Sequence, residues 1–261
     1  MKTRKVLLQL MLAAVVILPP MSIPALAQWE GYPTPAIPRL PDGKPNLSAA
    51  LPRKADGKPD LSGIWQSTRG AFNIAVGLKR GEVVPFNAAG KALFDERQAN
   101  NSKDEPGARC LPTGVPMRNQ LNTPMKIIQI PGLTAILYES RTTFRQILTD
   151  GRPLPKVDWP AWAGYSIGNW DGDAFVIETA GFNGKAWLDQ AGHPATSALH
   201  LIERFTRRDF GHMDMEITIE DPNVYTKPWT ISAQFVLKAD TELLEFICEE
   251  NEKDSDHLIG K

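Results

Sequence analysis

The stretch "ALHLIERFTRRDFGHMDMEITIEDP" (residues 198–222) decides the fold. Apolar and polar residues alternate on both sides of Asp209–Gly211, the period of a strand rather than a helix. Before the turn, His200, Ile202, Arg204 and Thr206 share one face, and Leu201, Glu203, Phe205 and Arg207 share the other. After it, Met213, Met215, Ile217 and Ile219 form an apolar face, backed by His212, Asp214, Glu216 and Thr218. Two such runs about an Asp/Gly turn form an antiparallel hairpin.

The same grammar repeats on either side. "MKIIQIPGLTAILYES" holds two runs about Pro131–Gly132, and "TTFRQILTDGRPLP" is a strand ending in an Asp-Gly turn. "GYSIGNWDGDAFVIETAGFN" is a hairpin about Asp171–Gly172, and "WTISAQFVLKADTELLEFICEEN" reads as a last pair around Lys238–Asp240. Eight or nine successive strands with short turns predict a mainly β chain folded as a single antiparallel up-and-down barrel, because closure removes hazardous sheet edges. Asn87 caps one helix running to about Ala99.

The predicted layout follows from composition. Lys2, Arg4 and Lys5 precede the apolar run "VLLQLMLAAVVIL", and "ALA" at 25–27 supplies small residues for cleavage, so residues 1–27 read as a signal peptide. A periplasmic or secreted protein with no stable membrane insertion after cleavage is expected. Residues 28–60, rich in Pro and Gly, read as an extended arm. Within it "DGKPNLS" (42–48) is echoed by "DGKPDLS" (56–62), each an Asp-Gly turn followed by Lys-Pro, a duplication too short for a solenoid. The barrel domain covers 61–250, and 251–261 is a flexible acidic tail.

Without the three basic leader residues, 26 basic side chains face 30 acidic ones, and no basic block exists, which argues against a nucleic-acid partner. Cys110 and Cys248 are the only cysteines, and in an oxidising compartment they read as one disulfide. Closing so long a loop restricts the unfolded chain by about 4 kcal/mol in the entropic account.

Gly63-Ile64-Trp65 resembles the Gly-x-Trp that opens the first strand of lipocalin-like (calycin-type) barrels, where the Trp seals one end. No second lipocalin motif and no closing Arg of the usual kind accompany it. The pieces "ADGKPDLSGIW", "FRQILTDGRPLP", "GYSIGNWDGDAFVIETAGFN", "LIERFTRRDFGHMDMEITIEDPNVYTKPWT" and "CEENEKD" make most of the mature chain similar to an uncharacterised family of secreted bacterial proteins. That resemblance implies one coherent domain and an envelope or extracellular home, and it brings no activity.

Chemistry is carried by two groups of residues. Trp159, Trp162 and Tyr165 sit in "DWPAWAGYSIGNW"; with Tyr138 they are candidates to contact a small apolar or aromatic ligand at a barrel mouth, the two tryptophans forming a lid. His200, Arg204, His212 and Glu216 share the polar face of the 198–222 hairpin. Turned outward, that face is an ordinary solvated one. Turned inward, a His beside a carboxylate is a candidate general base, with Arg204 or Arg145 holding an anionic oxygen. The primary expectation is therefore a small-molecule binding protein. A lyase, isomerase or hydrolase, and an envelope interaction protein, are the alternatives. No nucleophile elbow, phosphate loop, dinucleotide fingerprint or metal-ligand spacing appears, so no cofactor and no metal are expected. Nothing in the sequence sets an oligomeric state.

Overall fold

A computed structural model describes residues 33–250, apart from 71, 157 and 249. The expected leader, residues 1–27, and the tail, 251–261, lie outside the described residues. Nine strands form one closed barrel in sequence order: β1 (Gly63–Ser67), β2 (Met125–Ile130), β3 (Leu133–Tyr138), β4 (Thr143–Leu148), β5 (Tyr165–Asp171), β6 (Ala174–Ala180), β7 (His200–Arg207), β8 (His212–Glu220) and β9 (Trp229–Leu237). β9 returns to β1 through Trp65 opposite Leu237 and Ser67 opposite Phe235.

The fold departs from a strict up-and-down meander at one place. β4 and β5 pair in parallel, through Ile147 opposite Ser166 and Leu148 opposite Ile167. Residues 149–164 therefore run back along the barrel before β5 begins. The expected final strand pair is also corrected: 229–237 is a strand, whereas the chain after Asp240 joins no ladder. β9 already spends one edge on β8 and the other on β1, so "TELLEFIC" finds no free edge.

The long connections gather at one end of the barrel. The helix α1 (Ala88–Ala99) is capped by Asn87, whose side chain accepts from Gly90 N at 2.8 Å. It docks through Phe94, 4.6 Å from the His193 ring. A single turn, Met117–Gln120, is buried over this end of the barrel. Cys110 and Cys248 are disulfide-bonded, tying the first long connection to the segment after β9.

The other end is closed by the N-terminal arm. The two "DGKP" copies form the same hairpin twice. Asp42 Oδ1 accepts from Lys44 N and Asp56 Oδ1 from Lys58 N, each at 3.0 Å. Arg39 and Arg53 each donate to the turn glycine's carbonyl, then clamp a barrel carboxylate with two bonds: Arg39 on Asp240, Arg53 on Asp173. The duplication is thus a pair of equivalent staples, each with its own docking partner on the barrel. Next to them Trp65 is fully buried, its indole donating to Leu61 O at 2.9 Å. Arg207 lies 4.9 Å over its ring and donates to the backbone oxygens of Asp60, Asp209 and Phe210. An arginine does therefore close over the Gly-x-Trp tryptophan, supplied by β7.

The interior is filled. Trp65, Phe175, Phe205 and Phe235 are among its largest side chains, each at most 2 % exposed. The void between Leu61, Ile127, Thr134, Ile136, Phe175, Ile177 and Phe205 admits no water-sized molecule.

Candidate functional site

Closure of the barrel settles which face of each strand is enclosed. Met213, Met215, Ile217 and Ile219 point inward and are fully buried. His200, Arg204, His212 and Glu216 point outward, which corrects the arrangement in which they line the interior. The physical reason is the transfer of large apolar side chains out of water, four from β8 and Leu201 and Phe205 from β7, against which the polar face gains only solvation by facing out. His200 is held between Glu178 (Nε2···Oε1, 2.8 Å) and Glu220 (Nδ1···Oε2, 3.0 Å). Burial disfavours its imidazolium, but the hydrogen bonds to Glu220 and Glu178 outweigh burial and raise its pKa. His212 is held by Asp209, in the turn preceding β8. Both rings are engaged by neighbouring carboxylates.

Arg145 does point inward, and it organises a polar cluster inside the barrel. Its guanidinium meets Glu203 at 2.5 Å, Thr179 Oγ1 at 2.6 Å and Ser166 Oγ at 3.0 Å. Asn119, from the helical turn above, donates to Glu203 Oε1 at 2.5 Å and accepts from the Tyr138 hydroxyl at 2.7 Å. Burial works against the Arg145 charge, yet Glu203 beside it raises the pKa overall. Burial likewise raises the pKa of Tyr138. The Tyr138 hydroxyl and the Nε and Nη2 of Arg145 are thus engaged by protein groups, while Arg145 Nη1 is buried without a hydrogen-bond partner among the described residues. Glu203, Asn119, Ser166 and Thr179 were not singled out from the sequence. The available signal was an acid, Glu203, between Leu201 and Phe205 on the apolar parity of β7.

The aromatic candidates do not converge. Trp159 is 87 % exposed and Trp162 is half-buried in the 149–164 crossover. The Tyr165 hydroxyl accepts from Arg152 at 3.3 Å. None of these three lines either of the two larger grooves described next.

A groove of 570 Å³ lies against the outer face of β7, β8 and β9. Arg204, Thr206, Asp214, Glu216, Ser232 and Gln234 line it from the strands, and Thr68, Arg69, Val76 and Gly77 form its other wall. That wall is a strap following β1, and three contacts position it. Asn73 caps the 3-10 turn Ile74–Gly77, accepting from Ala75 N at 2.8 Å. The buried Asp189 accepts from Ile74 N at 2.8 Å, while it also holds His193 Nδ1 at 2.6 Å. Gly77 lies on β9 so closely that a Cβ would meet Ser232 O at 2.7 Å. A second groove of 450 Å³ opens on the far side of the strap, with Trp229, Lys79 and Lys227 among its lining.

Charges in the first groove divide into spent and unspent. Arg204 pairs with Asp171 at 2.7 Å, and Asp214 with Arg208 at 2.9 Å and with Gln234 at 3.2 Å. Arg69 and Glu216 make no side-chain hydrogen bond or ion pair among the described residues. One free cation and one free anion therefore share a groove with hydroxyl and amide groups. Among the described residues, no group of three or more His, Cys, Asp or Glu could hold a metal ion. Nor is any helix there long and apolar enough to cross a membrane. Comparison with protein-family profiles and with curated proteins finds no match.

Proposed function

We propose that this protein is a periplasmic or secreted binding protein for a small polar molecule carrying both an acidic and a basic group, such as a free amino acid. The observation that carries this reading is the 570 Å³ groove with Arg69 and Glu216 unspent in its lining. A ligand carboxylate pairs with Arg69, and a ligand ammonium with Glu216; the hydroxyls of Thr68, Thr206 and Ser232 and the Gln234 amide take the remaining hydrogen bonds. A binding role is favoured over catalysis because neither His200 nor His212 lines the groove. A polar ligand is favoured over an apolar one because the barrel interior is packed with side chains. The disulfide supports an oxidising compartment. Gly63-Ile64-Trp65 under Arg207 supports a lipocalin-like ancestry and the resemblance to the secreted bacterial family.

A thermal-shift panel of free amino acids, sugar acids and neutral monosaccharides tests the idea, with hits measured by calorimetry. Stabilisation by a zwitterion, lost at least tenfold in affinity in Glu216→Gln and in Arg69→Met, is expected. A best hit that is a monosaccharide or a sugar acid, carrying no ammonium group, or a zwitterion that binds both variants like the parent, would sink it.

A further inference from the structure

The barrel is two-sided, and the side away from the groove is apolar. On β2, β3 and β4 the buried positions alternate with nine outward ones, of which only Lys126 and Gln146 are polar. Register makes the rest contiguous: Ile128 lies opposite Ala135, and Leu137 opposite Phe144. Ile130 is 53 % exposed and Phe144 62 %. Antiparallel barrels normally present polar residues outward, and a large contiguous apolar patch marks an interaction surface.

The segment after β9 extends this face. Lys126 pairs with Glu242 at 2.8 Å, Leu244 N donates to Glu139 at 3.1 Å, and Phe246 N donates to Thr142 Oγ1 at 3.2 Å. These bonds hold the segment beside β2 and the β3–β4 turn. Its Leu244, Phe246 and Ile247 are 39–49 % exposed.

We infer that this face is the interface of a two-fold homodimer. Ile128, Ile130, Phe144, Leu244, Phe246 and Ile247 are each 38–62 % exposed, an extended apolar patch of the kind a standard interface covers with ~800 Å² per partner. On the strands themselves the one outward charge, Lys126, is already neutralised by Glu242, so two copies meeting through β2, β3 and β4 bury no unpaired charge from these strands. A closed barrel offers no edge for strand addition, so association through this side is sheet on sheet. An anionic lipid surface is disfavoured, because Asp240, Glu242, Glu245 and Glu250 lie along the same segment.

Sedimentation of the mature chain from micromolar to near-millimolar concentration tests this. A doubled mass is expected. Phe144→Ala should raise the dimer dissociation constant at least tenfold. The double variant Phe144→Glu/Ile130→Lys should be monomeric while keeping its circular dichroism spectrum, and Val176→Glu, on another face, should stay dimeric. A monomer throughout overturns the inference, whether residues 251–261 or nothing covers the face. So does a dimer unaffected by the double variant, or a monomer that pellets with phosphatidylglycerol vesicles.

Discussion

The Arg145 guanidinium and the Glu203 carboxylate meet at 2.5 Å with side chains 2 % and 0 % exposed, joining β4 to β7 through the middle of the barrel. Removing one partner leaves the other charge buried and uncompensated. Glu203→Gln should therefore destabilise the protein by about 3–5 kcal/mol in urea unfolding. Replacing both, as Arg145→Met/Glu203→Leu, should recover a large part of that loss. A double variant no more stable than the single one would show that the pair is not coupled.

His200 between Glu178 and Glu220 makes stability depend on pH. Its folded-state pKa is raised, so the contribution is fully present below the unfolded value of about 6.5 and is lost as pH rises through the folded value. The difference in melting temperature between the parent and His200→Gln should be larger at mildly acidic than at mildly alkaline pH. A difference that grows with pH would contradict the assignment. The site is partly solvated, so the effect is modest.

Gly90 reverses the usual helix rule. In an exposed helix interior Gly→Ala stabilises, by up to about 1 kcal/mol. Here the Val224 carbonyl fills the space a Cβ would need, since α1 rests directly on the 221–228 connection. Gly90→Ala should destabilise by about 1–3 kcal/mol on overpacking. Chemical denaturation showing the opposite sign would mean that α1 is free to shift.

The arm staples predict a local effect. Arg39→Ala and Arg53→Ala each release a solvent-exposed clamp, so global melting should change little. Limited proteolysis within residues 33–60 should accelerate in each variant and most in the pair. Equal cleavage rates in parent and variants would show that packing of Leu47 and Leu61, not the arginines, holds the arm.

Much of the strand order was legible because its signals are local. Alternation in "HLIERFTR" and "HMDMEITIE", and the Asp-Gly turn at 171–172, act over a few residues and appear as β5 to β8. The pair expected at 229–248 misled, since its pattern carries no record that both edges of β9 are already taken. The candidate site was less legible. Arg204 and Glu216 were picked from the polar face, but Arg69 and the strap lie well over a hundred residues away in sequence. No spacing rule links them.

Local chemistry in the chain determined where strands begin, where they turn, and which residues share a face. The Asp-Gly-Lys-Pro hairpins form twice because each turn's bonds stay within a few residues. Only the tertiary structure decided which face is enclosed, that Arg145 finds Glu203 58 positions later, and that Asp240 and Asp173 receive the two staples. The reason is that burial and charge pairing are properties of what the closed barrel brings together, and neither is fixed by neighbours along the chain.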